Sequence, residues 1–262
     1  MDKAMKQIKI PAKVNLSLEI TGVEGGLHTL KMETVAVDLY DVIHFESAES
    51  DRIEFSFGKT FEGFEEERFR PVIEKAIAKF VETYGTVGAR LVIDKNIPLG
   101  AGIGGSSSAV AGVVKALEKL KNNQIDARFL LSLGSDLPVV YKGGRNMVTG
   151  VGEKVETLKY EEKYFVILVG GAVDSREAYT LFDKIGAEKY GKRENHLEKS
   201  ARMLNKNVIL EREILEKLGA EDVVMSGSGS AVVGVFDTEK EAKDVYEKVD
   251  KFCKYLAKST KN

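Results

Sequence analysis

Tryptophan is absent from the 262 residues, and cysteine occurs once, at Cys253. A single thiol makes no internal disulfide, so the expected setting is a reducing cytoplasm. No apolar run is long enough to cross a bilayer, and no signal peptide is read. Neither sign of charge is in excess: 39 basic residues face 41 acidic ones, a net charge of −2. That balance offers no electrostatic case for nucleic acid or an anionic membrane. Repeats and low-complexity stretches are missing, and with four prolines no Pro/Ser-rich linker divides the chain. His44 and His196 lack the Cys or carboxylate spacing of a zinc site. His44 is expected on a strand surface and His196 on a solvated helix.

Glycine, by contrast, is concentrated in one stretch: Pro98, Leu99, Gly100, Ala101, Gly102, Ile103, Gly104, Gly105, Ser106, Ser107, Ser108. Four glycines fall within six residues, three hydroxyls follow, and then Val110, Val113, Val114, Leu117 and Leu120 take helical spacing. Ser106 or Ser107 is the expected N-cap. Glycines let N–H groups turn toward a ligand that a Cβ would hold off. The helix start adds unpaired N–H groups and a partial positive charge. Together they make a seat for phosphate, with serine hydroxyls available to phosphate oxygens or a metal. Gly100, Gly102 and Gly105 also fit G-x-G-x-x-G, but the apolar strand ends too early, at Ile93. No second strand follows to place Asp126 as a ribose acid. A Walker A loop is excluded, since no Gly-Lys-Ser/Thr follows. The plain alternative is a glycine-rich turn opening a core helix, against which the three serines weigh.

Alternation predicts a strand over 7–10 ending at Pro11, another over 14–21, and further strands over 34–39, 42–46, 53–57 and 89–93, with a loop at 22–26. Helical spacing covers 65–84, with Pro71 near the first turn. A short helix over 127–133 leads to a corner at 134–138, and a hairpin is expected over 139–148 across Gly143-Gly144. Later come a buried strand over 164–169, helices over 175–185, 194–204 and 208–218, and strands over 223–225 and 231–236. A helix capped by Thr238, a closing strand over 252–256 and a frayed tail end the chain. Strands dominate early and helix–strand alternation late, which predicts an α+β pair of lobes, 1–159 and 160–262.

Three further constellations could carry chemistry. Lys13 and Asn15 share the polar side of an alternating strand. They are either two solvated edge residues or a lysine aimed into a phosphate site, where it would stabilise phosphoryl transfer. Asp136 sits before Leu137-Pro138, where the proline should hold Leu137 extended. It is either a turn cap or a base for a substrate hydroxyl. Ser226-Gly227-Ser228-Gly229-Ser230 follows an apolar strand. It is either a tight turn or a set of backbone N–H groups packed against phosphate.

The glycine stretch together with these three, in this order and at this spacing, resembles the motifs of the GHMP small-molecule kinases. The likeness runs from about Ile10 to Phe236. The resemblance implies that family's two-lobed α+β fold, with an N-terminal ribosomal-S5-like lobe and a C-terminal ferredoxin-like lobe. It also implies phosphorylation of a small alcohol by ATP with Mg²⁺, in a monomer or homodimer. Within the family, Pro11 to Leu16, Gly26-Leu27-His28 and Gly134-Ser135-Asp136-Leu137-Pro138 resemble the branch whose substrate is a cytidylated methylerythritol of isoprenoid-precursor synthesis; homoserine, mevalonate-type and sugar kinases are the alternatives, and a non-catalytic nucleotide sensor a further one. By this resemblance Lys13 and Asp136 form the catalytic pair, and residues 98–108 hold ATP. Ser107 or Ser108 lies near Mg²⁺. His28 reads cytosine, and Asn15, Leu27, Ser175, Tyr179, Gly227, Ser228 and Gly229 contact substrate. Leu27 stands where that branch has a tyrosine, Ala109 where Asn or Asp is frequent, and Ser106 where the last loop glycine falls.

Overall fold

The computed structural model describes residues 5–220 and 222–261. The first half of the chain runs β1 (Lys6–Asn15), β2 (Glu19–Glu24), β3 (Leu27–Ser47), β4 (Ile53–Thr60), α1 (Glu66–Tyr84), β5 (Ala89–Lys95), α2 (Gly105–Lys121), α3 (Ala127–Leu133), α4 (Leu137–Lys142), β6 (Arg145–Gly150) and β7 (Lys154–Thr157). The second half runs β8 (Tyr164–Val169), α5 (Ser175–Ile185), α6 (Glu198–Leu204), α7 (Asn207–Lys217), β9 (Asp222–Met225), β10 (Val232–Phe236), α8 (Glu239–Lys248) and β11 (Cys253–Lys258).

The 21-residue β3 is the spine of a seven-stranded sheet ordered β4-β5-β3-β6-β7, with β1 and β2 also paired to β3. Among the described residues only β4 and β5 run parallel there. Helix α2 lies on this sheet so closely that a Cβ on Gly112 would strike Ile43. The second sheet, β11-β8-β10-β9, is antiparallel throughout. Its central β8 is the unbroken apolar run of the sequence, and both its faces are covered, as such a run requires. Val166 and Leu168 pack with the helices, while Phe165 and Ile167 join a separate cluster with Val14, Val35, Ile97, Ala101 and Ile103. The apolar side chains of the glycine stretch are thus buried between the two sheets. Full burial of Ile97 and Ile103 stabilises the fold by about 1.5–3 kcal/mol each.

Several local expectations are corrected. Strand β1 continues through Pro11 to Asn15, because a register shift at Pro11/Ala12 absorbs the missing N–H. The strand expected over 14–21 is therefore divided between β1 and β2, and 22–26 supplies the end of β2 and its turn. The strands over 34–39 and 42–46 are one. Pro138 does not extend Leu137: it sits in the first turn of α4, where a missing N–H costs nothing. Residues 139–142 are therefore helix, not the first arm of a hairpin. Strand β7 was not legible in the sequence. Helix α6 begins at Glu198 rather than 194, and His196, in the turn before it, accepts from the Ile20 N–H at 3.0 Å and stacks on Phe182 rather than facing solvent. The tail is tied down: β11 reaches Lys258, and the Thr260 N–H donates to the Ala36 carbonyl at 2.8 Å. Asn262 lies outside the described residues. The Thr238 cap of α8 is present as a full capping box.

Two buried acids matter for stability. Asp41 of β3 is fully buried and pairs with the equally buried Lys95 at 2.9 Å. It also accepts from the Asn96 and Ile97 amides at 2.8 and 2.9 Å and from the Ser108 hydroxyl. Lys95 donates in addition to the Ile97 carbonyl. Burial lowers the pKa of the Lys95 ammonium, and the Asp41 carboxylate works against that. The cluster clamps both ends of the glycine stretch to β3. Glu211 of α7 is different: its carboxylate is buried beneath Gly170 without a well-formed hydrogen bond. Burial pushes it up to about 8, with the Gly170 amide offsetting a part.

Asp41→Ala strips the buried ammonium of its counter-charge and is expected to cost about 3–5 kcal/mol of unfolding free energy. Ser108→Ala should cost only about 1–2 kcal/mol. Urea unfolding of both variants separates them. For Glu211 the folded state holds a proton that the unfolded chain has lost from its ordinary carboxyl range upward. Stability should therefore fall as pH rises from about 4.5 to about 8 and level off above. Glu211→Gln should remove this slope and gain about 4 kcal/mol at pH 8, read from urea midpoints at pH 5 and pH 8.

Candidate active site

The glycine stretch is held from behind by its carbonyls. Val173 N–H donates to the Gly100 carbonyl at 3.1 Å, Ala231 N–H to Ala101 at 2.9 Å, and Lys13 N–H to Ile103 at 3.1 Å. The Ser226 hydroxyl donates to the Gly102 carbonyl at 3.0 Å. Among the described residues, by contrast, no acceptor meets the amides of residues 100–107. Gly100, Gly102 and Gly104 turn the chain through φ values of 67°, 77° and 82°. A Cβ at Gly102 would strike the Ser226 carbonyl, and one at Gly105 the Pro98 carbonyl. Only glycine allows this path.

Gly104, in the left-handed conformation, holds the N-cap position of α2, and no side chain caps the helix. The expected serine cap is corrected: Ser106 and Ser107 lie inside the first turn, where their own amides are free. A serine cap would have consumed the donors that an anion needs.

Lys13 and Asp136 meet across this loop at 3.2 Å. Lys13 is buried on β1, and its ammonium also donates to the Asn15 side chain. Asn15 is wholly buried behind it, donating through Nδ2 to the Met32 sulfur at 3.1 Å and through its amide to Ser226 Oγ at 3.0 Å. The two are not solvated edge residues, because the polar face of β1 is covered by the loop and by the turn after β9. Asn15 therefore orients Lys13 and does not line the cleft. Asp136 stands one residue before α4 and is a third exposed. Its corner is set by Gly152, where a Cβ would strike the Ser135 carbonyl.

A cleft of about 250 Å³ opens between these groups. Gly100, Gly102, Gly104, Gly105, Ser106 and Ser107 form one wall, Lys13, Ser135 and Asp136 another, and Ser175, Tyr179, Gly227 and Ser228 the third. Ser175 and Ser228 share a hydrogen bond of 2.7 Å. Burial and the nearby Asp136 carboxylate raise the pKa of the Tyr179 hydroxyl. Pro98, Ala101, Ile103 and Gly229 are buried behind the cleft surface, and Leu99 is half-buried. The Ser108 hydroxyl turns inward to Asp41 and Gly105, so of Ser107 and Ser108 it is Ser107 that lines the cleft. His28 and the 61 % exposed Leu27 lie in an adjoining cavity that shares Leu30, Ser135 and Tyr179 with the first. Ser135, Met32 and Val173 also line the cleft and were not expected. Asp41 and Lys95 were not expected either; an aspartate and a lysine inside otherwise apolar strands were the available signal. A hollow of about 530 Å³ on the second sheet is lined by closed ion pairs, Lys163–Asp237 and Arg193–Asp222, and lacks a comparable glycine and hydroxyl wall.

Comparison with known proteins agrees with this fold. The pattern of the GHMP kinases N terminal domain matches residues 71–149, and that of the GHMP kinases C terminal region matches 179–254. The chain is 33 % identical over 272 residues to the 4-diphosphocytidyl-2-C-methyl-D-erythritol kinase of Clostridium beijerinckii, covering 94 % of this chain and 96 % of that protein. It is 34 % identical to the enzyme of the same name from Clostridium botulinum (strain Eklund 17B), covering 92 % and 95 %. A crystal structure of 4-(cytidine 5'-diphospho)-2C-methyl-D-erythritol kinase superposes with a TM-score of 0.79 at 25 % identity, covering 98 % of this chain and all of that one. No helix among the described residues is long and apolar enough to cross a membrane. A free-amide glycine loop facing a lysine–aspartate pair, on a two-sheet α+β frame matched along nearly its whole length, places this chain in the GHMP kinase family, as an ATP-dependent small-molecule kinase.

Proposed function

We propose that this protein transfers the γ-phosphoryl group of ATP to the alcohol of 4-diphosphocytidyl-2-C-methyl-D-erythritol. The observation that carries the reading is the convergence of unpaired loop amides with the Lys13–Asp136 pair in one cleft. The names of the relatives supply the substrate.

In this reading the amides of 100–107 and the start of α2 hold the ATP phosphates. Ser175, Gly227 and Ser228 line the acceptor side. The Asp136 carboxylate takes the proton of the acceptor hydroxyl, whose oxygen attacks the γ-phosphorus. The β–γ bridging oxygen leaves with ADP. Lys13, held by Asn15, offsets the charge that spreads over the transferred group. Tyr179 walls the cleft beside Asp136. The donor set suits Mg²⁺ bound chiefly through ATP: Asp136 and the Ser107 hydroxyl face the cleft, and no cluster of three His, Cys or acidic residues occurs among the described residues. When bound there, Mg²⁺ would supply further charge compensation, and Ser107 is the residue of this chain that would help hold it. His28 reads the cytosine, with Leu27 beside it. The two lobes divide between residues 159 and 160, in the stretch joining β7 to β8.

Phosphotransfer from ATP should be measured against the cytidylated methylerythritol, homoserine and mevalonate. Turnover of the first alone is expected, and turnover of another alcohol in its place would overturn the substrate assignment. Asp136→Asn should lower kcat by about 10²–10⁴ while ATP affinity stays near wild type. Unchanged turnover in that variant would remove Asp136 from the chemistry.

A further inference from the structure

The cavity that adjoins the cleft, of about 350 Å³, is closed by the β2–β3 hairpin on one side and one face of α5 on the other. That face presents Arg176, Tyr179, Thr180 and Asp183, spaced at three, four and seven residues. His28, the second residue of β3, projects its ring against it. The ring stacks on Tyr179 with centroids 4.9 Å apart and planes 24° apart, and meets Phe182 edge-on at 6.1 Å. Its Nε2 lies 2.7 Å from the Asp183 carboxylate. A carboxylate only accepts, so Nε2 must carry the proton. In the neutral ring Nδ1 is then a bare lone pair, and it meets no protein partner among the described residues.

We infer that Asp183 is a positioning residue for base recognition: it fixes His28 in the Nε2–H form, so that Nδ1 offers an acceptor to the exocyclic amine of cytosine and rejects a base with a carbonyl there. The inference rests on the substrate reading above. Cytosine carries an amine donor at position 4. Uracil carries an acceptor at that position and would face the lone pair. Without Asp183 the ring is free to place its proton on either nitrogen, and the distinction between the bases weakens. Leu27, exposed at the hairpin turn, offers no aromatic face to either base, so hydrogen bonding carries more of the discrimination here than stacking does. Asp183 does not reach the reacting atoms and acts only through His28.

Two measurements test this. In protein labelled with ¹⁵N-histidine, the His28 ring, assigned by loss of its signals in His28→Gln, should show a protonated Nε2 and a bare Nδ1. Asp183→Ala should shift it to a mixture of forms. In phosphotransfer assays Asp183→Ala should raise KM for the cytidylated acceptor about tenfold, the loss of one oriented hydrogen bond. It should leave kcat and the KM for ATP in place and narrow the preference over the uridylated analogue. Asp183→Asn, whose amide oxygen still accepts from Nε2–H, should restore most of that preference. A wild-type His28 protonated on Nδ1, or a cytidine-to-uridine ratio untouched by Asp183→Ala, overturns the inference. If the wild-type protein leaves the cytidylated acceptor unphosphorylated, the substrate reading fails. The ring signals, and calorimetric binding of CDP against UDP, then still decide the role of Asp183.

Discussion

A polypeptide that leaves a run of amides unpaired in a half-buried loop must be held by something else, and here its carbonyls do the holding. Those of Gly100, Ala101, Gly102 and Ile103 are taken by the lead-in to α5, by the turn after β9 and by β1. These elements come from both sheets. The loop is therefore a joint of the molecule, with its apolar side chains inside the cluster that spans the sheets and its donors facing outward. A ligand with phosphate oxygens would supply the acceptors that the protein withholds.

The same economy governs the charged groups. Asp41 and Lys95 form a fully buried pair, an arrangement that pays only when every polar atom has a partner. Asp41 meets that condition, with two amides, an ammonium and a hydroxyl around it. Lys13 is nearly as buried but is shared between Asn15 and the partly exposed Asp136. One pair is closed and anchors the loop. The other stays open on one side, where the Asp136 carboxylate borders the cleft. Ser108 belongs to the first pair and Ser107 to the cleft, one residue apart, because successive residues of a helix point about 100° apart.

Much of this was legible in the residues. The apolar run of β8, the helical spacing of α1 and α5 and the Thr238 cap are local signals, and each element formed where its pattern placed it. The glycine loop was legible because its backbone path admits no Cβ. What failed were places where tertiary packing overrode a local rule. Pro138 entered a helix start, Pro11 entered a strand, and two short strands fused into β3, whose length is imposed by partners on both of its edges.

The sequence by itself determined the α+β class, the glycine-rich loop and the residue types available around it, because these depend on short-range periodicity and on backbone freedom. Tertiary structure alone decided which polar residues face one another. Lys13 met Asp136 across 123 positions of chain and His28 met Asp183 across 155. Asn15 and Ser108, which the family resemblance implied at the cleft, turn inward instead. Such pairings arise from how sheets and helices close over each other, and no local pattern encodes that closure.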